Sequence, residues 1–395
     1  MGIQIRSLYA YVSRGEVHSM QGPRGRQRLY ALADIERLAA RRKARSGHGA
    51  LAAGALRWGE PVLDSSVTAI TPRGPAYRGR LAVELAAAGV PFENTAELLW
   101  SGYLPEGRVA WPRVAAPHGQ VTRMLYAASA TPPDPLAAMA LIVPIAALAD
   151  PDRTDQRPDA VLARGRQLIP LLAAALAPGY DPALVTRALG AGSVAAICAR
   201  ALGKDDDLAP TIDQILVLLA DHELNASSFT ARVAASTGAD PYACIAAALA
   251  TVSGPKHGSA AEAVARFADE IGSPEAARTA VRALRKRGET PPAFGHPLYP
   301  DGDPRAAPLF ALARGSSHKR ARTILAIADA AAPDAHPSVD YALAALVAAI
   351  DAPPAAASGL FAVARAAGWL AHAIEQRAAN FILRPRARYV GVPVA

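Results

Sequence analysis

The sequence is short of cysteine. Only Cys198 and Cys244 occur among its 395 residues, far apart and outside any metal-binding or redox spacing. A Cys-based metal or redox site is thereby excluded, and a reducing, cytoplasmic setting is expected. Long apolar runs are missing as well: the longest uncharged stretch, 135–149, falls short of the roughly 18 residues that a bilayer span requires. The first residues carry Arg6 but no apolar core or cleavage site, so neither a secretory leader nor a membrane attachment is expected. Acidic residues are scarce at the start. Residues 1–50 hold ten Lys/Arg against three Asp/Glu, so seven of the eight net positive charges sit there. An argument for nucleic-acid binding has to rest on that segment, because the rest of the chain is nearly neutral. Strand-like alternation is rare and no internal repeat is evident.

What the chain has is helix. Apolar residues make up 51% of it, enough for one large domain or two to three ordinary ones with a sizeable core. "TIDQILVLLADHEL" puts Ile212, Ile215, Leu216 and Leu219 on one face and Val217 and Leu218 on the other, the mark of a helix buried all round. "SGLFAVARAAGWLAHAIEQ" behaves alike, with Leu360, Val363, Ala367, Leu370 and Ile374 in one stripe. Proline and glycine clusters at 71–75, 104–118, 131–135, 291–304 and 333–337 punctuate the helices. The body therefore reads as all-α. "RSGHGALAAG", 45–54, reads as a linker between it and the basic segment.

Polar residues with chemistry to offer gather at the punctuation. "PPAFGHPLYPDGDPR", 291–305, holds out His296 and Arg305 from a backbone fixed by five prolines. Asp303 is a good N-cap and Pro304 suits a first helical position, so Arg305 enters a first turn, where the helix dipole disfavours a cation and an anionic partner is called for. In "SGPKHGSAAEAV", Ser259 and Glu262 have capping-box spacing, which starts a helix just after His257. His222 closes the buried helix, Asp340 lies in a first helical turn, Arg365 sits inside an apolar helix, and Arg384 follows in "FILRPRARYVG". Taken singly, bland explanations serve. His296 fits a surface turn, His222 a core imidazole satisfied by a carbonyl, and Asp340 an acid that favours the dipole. Arg365 fits least well, since a buried guanidinium needs partners.

The order of the motifs changes the weighing. "ADHELNASSFTARVAAST", "GPKHGSAAEAV", "FGHPLYPDGDPRA", "VDYALAAL", "ARAAGWLAHAIEQ" and "RPRARYVG" resemble, in this order, the citrate synthase family, and 75–105 resembles that family's N-terminal part. The resemblance runs from about residue 60 to the C-terminus. It implies a helical homodimer with a large domain (55–258 and 352–395) and an inserted small domain (259–351). It also implies condensation of oxaloacetate with acetyl-CoA, followed by thioester hydrolysis, with acetyl-CoA as substrate and neither cofactor nor metal. By motif, Asp340 would remove a methyl proton, His257 would bond the thioester oxygen, and His296 would polarise the keto carbonyl. His222, Arg305, Arg365 and Arg384 would hold oxaloacetate, Arg384 reaching into the partner subunit's site. The backbone of 290–295 would lie against the CoA adenine. Guanidinium forks suit a dicarboxylate, and a weak carbon acid needs donors ready for the enolate.

Some positions depart from the family pattern. Ala261 stands where asparagine is frequent, Pro297 where many bacterial members carry arginine, and 331–338 lacks the lysines that some members use near CoA phosphates. His318, Lys319 and Arg320 are candidates to replace them, although solvated charge explains them as well. Propionyl-CoA, giving 2-methylcitrate, is therefore an alternative substrate, since one methylene in an apolar pocket discriminates by only about 1–3 kcal/mol. Residues 5–42 resemble part of a winged helix-turn-helix, with "RSLYAYVSRG" as recognition helix and "GPRGRQRLY" as wing. The usual first helix is missing, so a remnant, dimerisation or solubility element at 1–45 ranks ahead of sequence-specific DNA binding. A DNA-binding regulator with a synthase-like sensor body remains the competing class.

Overall fold

The computed structural model describes residues 63–115, 134–332 and 335–385, a strand pair at 19–21 and 28–30, and a few single positions. Contacts divide the chain into two compact units, residues 1–64 with 384–395 and residues 65–383. In the first, β1 (Ser19–Gln21) and β2 (Arg28–Tyr30) pair antiparallel, with Met20 opposite Leu29. β1 ends just before the stretch read as a wing, 22–30, and β2 lies at its end. The recognition helix, the helix after the wing and the linker 45–54 lie almost wholly outside the described residues.

The second unit opens with a small antiparallel sheet that the sequence reading did not anticipate: β3 (Thr68–Thr71), β4 (Gly74–Tyr77) and β5 (Arg80–Leu81), in the order β3-β4-β5. Strands of two to four residues are too short for a period of two to show in the sequence. Thr71 makes the turn, its hydroxyl donating to Gly74 O (2.8 Å) and accepting from Arg73 N (3.1 Å). β4 is buried along its length, and Tyr77 Oη donates to Val217 O (3.0 Å).

Helices make up the rest: α1 (Ala82–Ala87), α2 (Phe92–Ser101), α3 (Pro135–Ala149), α4 (Pro158–Ala174), α5 (Pro182–Leu189), α6 (Val194–Ala201), α7 (Ala209–Leu219), α8 (Ala226–Ser236), α9 (Pro241–Val252), α10 (Ala260–Ile271), α11 (Ala277–Lys286), α12 (Ala306–Ala313), α13 (Lys319–Ala331), α14 (Val339–Ala349) and α15 (Ala356–Ala379). Aspartate and asparagine side chains cap several of them: Asp134, Asp181, Asn225 and Asp240 accept amides of α3, α5, α8 and α9. α15 is the axis, buried from Ala356 almost to its end and packed on α2, α4, α7, α8 and α9. α10 to α14 pack chiefly on one another, α14 touching α10, α12 and α13.

Three local expectations are corrected. α7 stops at Leu219, so His222 is not the end of the helix but sits in a turn three residues beyond it, where Glu223 takes a left-handed φ of 56°. The capping box is not made. Ser259 has φ −100°, ψ 10°, so its hydroxyl cannot face the α10 amides; it donates to Pro255 O (3.0 Å), while Glu262 accepts from Ser358 Oγ (2.9 Å). α12 begins at Ala306 rather than at Pro304, although Asp303 Oδ1 does accept the Arg305 amide (3.1 Å).

Candidate active site

The site is built around the proline-rich corner. Gly295 N donates to His336 O (2.8 Å) and Ser338 N to Ala293 O (2.9 Å), so the corner is stitched to the residues just before Asp340. Ala293 accepts a left-handed φ of 58° to make this possible, a strain of about 1–3 kcal/mol for a residue with a Cβ. Asp303 supplies a third stitch: its Oδ2 accepts from Val339 N (3.1 Å), the first amide of α14. Thus the segments carrying His296, Arg305 and Asp340, 44 residues apart at their extremes, share one wall.

Arg305 is 2% exposed. Asp303 grips it through Nε (3.0 Å) and Nη2 (2.8 Å). Burial alone would raise the Asp303 carboxyl, but Arg305 and the two amides more than offset this and hold it below the usual carboxylate range. The partner that a first-turn arginine called for is therefore already present as Asp303, leaving Nη1 and half of Nη2 unengaged by it. Tyr299 lies under the guanidinium, 5.6 Å from ring centre to Cζ.

His222, buried, faces this wall. Its Nε2 is 3.0 Å from Tyr299 Oη, and its ring packs edge-on to His296 at 5.4 Å. Burial drives its pKa well down, with Arg305 and Arg365 adding to the effect. His296 Nδ1 accepts from Leu298 N (3.2 Å), so its proton resides on Nε2. Burial and then Arg305 lower its pKa, and the neutral ring keeps an N–H to donate.

Arg365, also 2% exposed, donates from Nε to Leu219 O (2.8 Å) and lies over the Phe361 ring at 4.5 Å. Phe361 in turn meets the His257 ring edge-on at 6.1 Å. His257 Nε2 is 2.9 Å from Ser227 Oγ, which also accepts from Trp369 Nε1 (3.0 Å). Asn225 Oδ1 accepts the Ser227 and Ser228 amides and also the Ser227 hydroxyl (2.8 Å), so Asn225 and His257 share the one Ser227 Oγ. Burial lowers the His257 pKa to about 4, with Arg365 adding to it.

Asp340 is surrounded by protein yet keeps part of its surface open, as in the wall of a narrow cleft. Burial raises its pKa. Arg305 and Arg365 pull it down and Asp303 pushes it up, and the net direction is upward. The sequence left two tendencies opposed here, a helix start that lowers the value and a carbon-acid base that profits from a raised one; burial decides. A base with a raised pKa, three neutral imidazoles and two buried guanidiniums suit a site that takes a proton from carbon while holding a dianion.

Six of the seven residues singled out from the sequence join this contact network: His222, His257, His296, Arg305, Asp340 and Arg365. Arg384 is exposed and belongs to the other compact unit. His318 pairs with Asp351 (3.2 Å) and Arg320 with Asp269 (2.8 Å), which leaves Lys319 as the exposed cation of that trio. Sequence reasoning missed Tyr299, Ser227, Trp369 and the double role of Asp303. Tyr299 was findable, three residues after His296 in the same rigid corner; Ser227 and Trp369 carry no signal apart from lying close to His222 and Arg365. A cavity of ≈ 590 Å³ lined by Leu136, Leu141, Leu176 and Tyr180 contains none of these side chains. Among the described residues no cluster of three or more His, Cys, Asp or Glu has metal-holding geometry, and no helix is long and apolar enough to cross a membrane.

The sequence profile of the family described as "Citrate synthase, C-terminal domain" matches residues 55–386, and the chain belongs to the citrate synthase family. "Citrate synthase 2" of Bacillus subtilis is 38% identical over 186 residues, covering 45% of this chain and 50% of that protein. The chain thus spans about half the length of that relative and of others like it. The "Citrate synthase" of Mycolicibacterium smegmatis is 30% identical over 335 residues, 80% of this chain and 89% of the relative. A solved structure of citrate synthase from Thermoplasma acidophilum, in ternary complex with carboxymethyl coenzyme A and oxaloacetate, superposes with a TM-score of 0.71 at 23% identity, over 85% of this chain and 95% of that one. It shares the fold.

Proposed function

We propose that the protein condenses oxaloacetate with acetyl-CoA and hydrolyses the resulting thioester, giving citrate and CoA. One observation carries the reading. The proline-rich corner is locked to the start of α14, which sets the His296 donor and the Arg305 guanidinium beside a single raised-pKa carboxylate, Asp340. Asp340 takes a proton from the acetyl methyl group. A neutral His257 donates to the thioester oxygen as the enolate forms, a preorganised donor of the kind worth about 3–4 kcal/mol. Arg305, Arg365 and His222 hold the two carboxylates of oxaloacetate, and His296 Nε2–H polarises its carbonyl and delivers a proton to the new alkoxide. Water then attacks the citryl thioester, and CoA leaves as the thiol.

The same reading includes a homodimer. Leu141 and Leu148 are 50% and 80% exposed on α3, a helix without a charged residue, and a second copy is the natural cover for such a face. It includes a small domain at 259–351 closing on the remainder, supported by the way α10 to α14 pack on each other, and a role for Arg384 across the dimer. It places the enzyme in the cytoplasm, in keeping with two free, buried thiols, and with acyl-CoA as substrate rather than cofactor.

Trapping released CoA with a thiol reagent tests this. Turnover with oxaloacetate and acetyl-CoA is expected; faster turnover with propionyl-CoA would instead make it a 2-methylcitrate synthase. No release with either, or full activity in Asp340→Asn, overturns the proposal. A gel-shift titration is the arm for the basic segment: salt-dependent DNA binding at micromolar protein would favour the regulator.

A further inference from the structure

The mechanism above leaves two buried polar groups unused. Asp221 and His372 are both 0% exposed and touch no proposed substrate atom. His372 Nε2 donates to Asp221 Oδ2 (3.2 Å), and the same oxygen accepts from Glu223 N (3.2 Å). His372 Nδ1 has no hydrogen-bond partner, and the Thr68 hydroxyl is a further neighbour of the Asp221 carboxylate. A half-satisfied pair in a core is costly, which raises the question of what the pair holds.

Three bonds along one seam answer it. On one face of α15, Arg365 Nε donates to Leu219 O (2.8 Å), Gly368 N to Ala220 O (3.1 Å) and His372 Nε2 to Asp221 Oδ2. Residues 365, 368 and 372 follow one another along the helix at helical spacing, and they meet 219, 220 and 221 in order. The next residue is His222. Gly368 permits the approach, because a Cβ there would lie 2.2 Å from Asp221 Oδ1 and 2.6 Å from Ala220 O. Beyond His222, the Asp221 carboxylate also restrains the Glu223 amide, where the backbone is left-handed at φ 56°. His222 is therefore clamped on both sides by one carboxylate, which His372 in turn anchors.

We propose that Asp221 and His372 are positioning residues for the oxaloacetate site: together they zip the 219–223 turn onto α15 and so set His222 against Arg365. The inference rests on the functional reading above. Neither residue is catalytic. The pair acts through the two groups it aligns, both of which face the dicarboxylate, so its loss is felt in the binding of that substrate and not in the acyl-CoA.

The experiment measures oxaloacetate binding by calorimetry, together with kcat and the two KM values, in wild type, His372→Leu, His372→Gln and Asp221→Asn, with melting temperature as a check on folding. His372→Leu removes the last rung and is expected to weaken oxaloacetate about tenfold, the scale of one charge-assisted hydrogen bond, with the acetyl-CoA KM within about twofold. The glutamine amide can stand in for Nε2–H, so His372→Gln is expected to return affinity to within about threefold of wild type. Should the leucine variant fail to fold, Asp221→Asn decides. It keeps an acceptor and removes the charge, so positioning predicts near-wild-type affinity, whereas tenfold tighter binding of the dianion would show a role through charge alone and overturn the proposal. Unchanged oxaloacetate affinity in His372→Leu, or a glutamine variant no better than leucine, also overturns it. Wild-type protein that neither binds oxaloacetate nor releases CoA instead overturns the parent reading, so the two failures are distinguishable.

Discussion

Removing Asp303 tests the corner directly. Its carboxylate accepts four hydrogen bonds, from Arg305 N (3.1 Å), Nε (3.0 Å) and Nη2 (2.8 Å) and from Val339 N (3.1 Å). Both partners of the ion pair are nearly sealed, at 5% and 2% exposure. Asp303→Ala leaves a buried guanidinium without its counter-charge, a change that costs about 3–5 kcal/mol in other proteins. At about 2–4 °C per kcal/mol for a domain of this order, the melting temperature should fall by roughly 6–20 °C. Asp303→Asn keeps one acceptor oxygen and should cost less, about 1–3 kcal/mol. Saturating oxaloacetate should recover part of the loss in both variants, because its carboxylate can take the vacated donors. The pH dependence has a definite sign. The folded-state pKa of Asp303 lies below its unfolded value, so its contribution is complete above about pH 4 and disappears as the pH falls through the folded value. Wild type should therefore lose stability relative to Asp303→Asn on acidification below about pH 4. Differential scanning fluorimetry across pH, with and without oxaloacetate, reads all of this. A drop of less than about 2 °C in Asp303→Ala at pH 7 would refute the claim that Asp303 compensates Arg305.

Three further outcomes follow from the same geometry. Asp340→Asn should lower kcat by about 10²–10⁴ while raising the melting temperature, since a carboxylate whose folded pKa is raised is a liability at neutral pH; a lower melting temperature would contradict the assigned direction. His257→Ala should lower kcat about 10²–10³-fold with little change in oxaloacetate affinity by calorimetry, and an effect on affinity alone would remove it from the enolate role. Because burial lowers the His257 and His296 pKa values, the acid limb of kcat/KM should lie below the ordinary histidine value of 6.5, and a limb centred there would mean that one ring titrates normally.

Much of this site was legible because its residues announce themselves locally. His257 and His296 sit on glycine- and proline-fixed turns, and Arg365 interrupts an apolar helix, so each stood out before any contact was known. The helical body was equally plain, since buried helices such as α7 and α15 carry apolar residues on every face. What stayed hidden depends on partners distant in the chain. Asp303 read as an N-cap, and its Oδ1 does accept the Arg305 amide, but the sequence offers no sign that it would also grip the Arg305 guanidinium and Val339, 36 residues on. Ser259 and Glu262 had the capping-box spacing, yet Ser358 claims the glutamate from 96 residues away. The short sheet was lost for another reason, since four residues do not display a period.

The distribution of charge explains why a rigid corner is useful. Two guanidiniums are buried within one network, and only Arg305 has a direct ion-pair partner. Arg365 has a carbonyl oxygen and an aromatic face, with Asp221 and Asp340 acting on it through space. Burial disfavours its charged form, and Asp221 is the first of the groups that restore it. Three histidines nearby are held neutral and contribute no compensating charge of either sign. Arg305 is therefore compensated by a carboxylate in direct contact, and Arg365 by carboxylates acting only through space. Under the proposed function, asymmetric compensation of this kind would give the substrate one orientation, with one carboxylate drawn to Arg365 and its carbonyl left facing His296. A symmetrical pair of unpaired arginines would hold a dicarboxylate as firmly but could not tell its two ends apart.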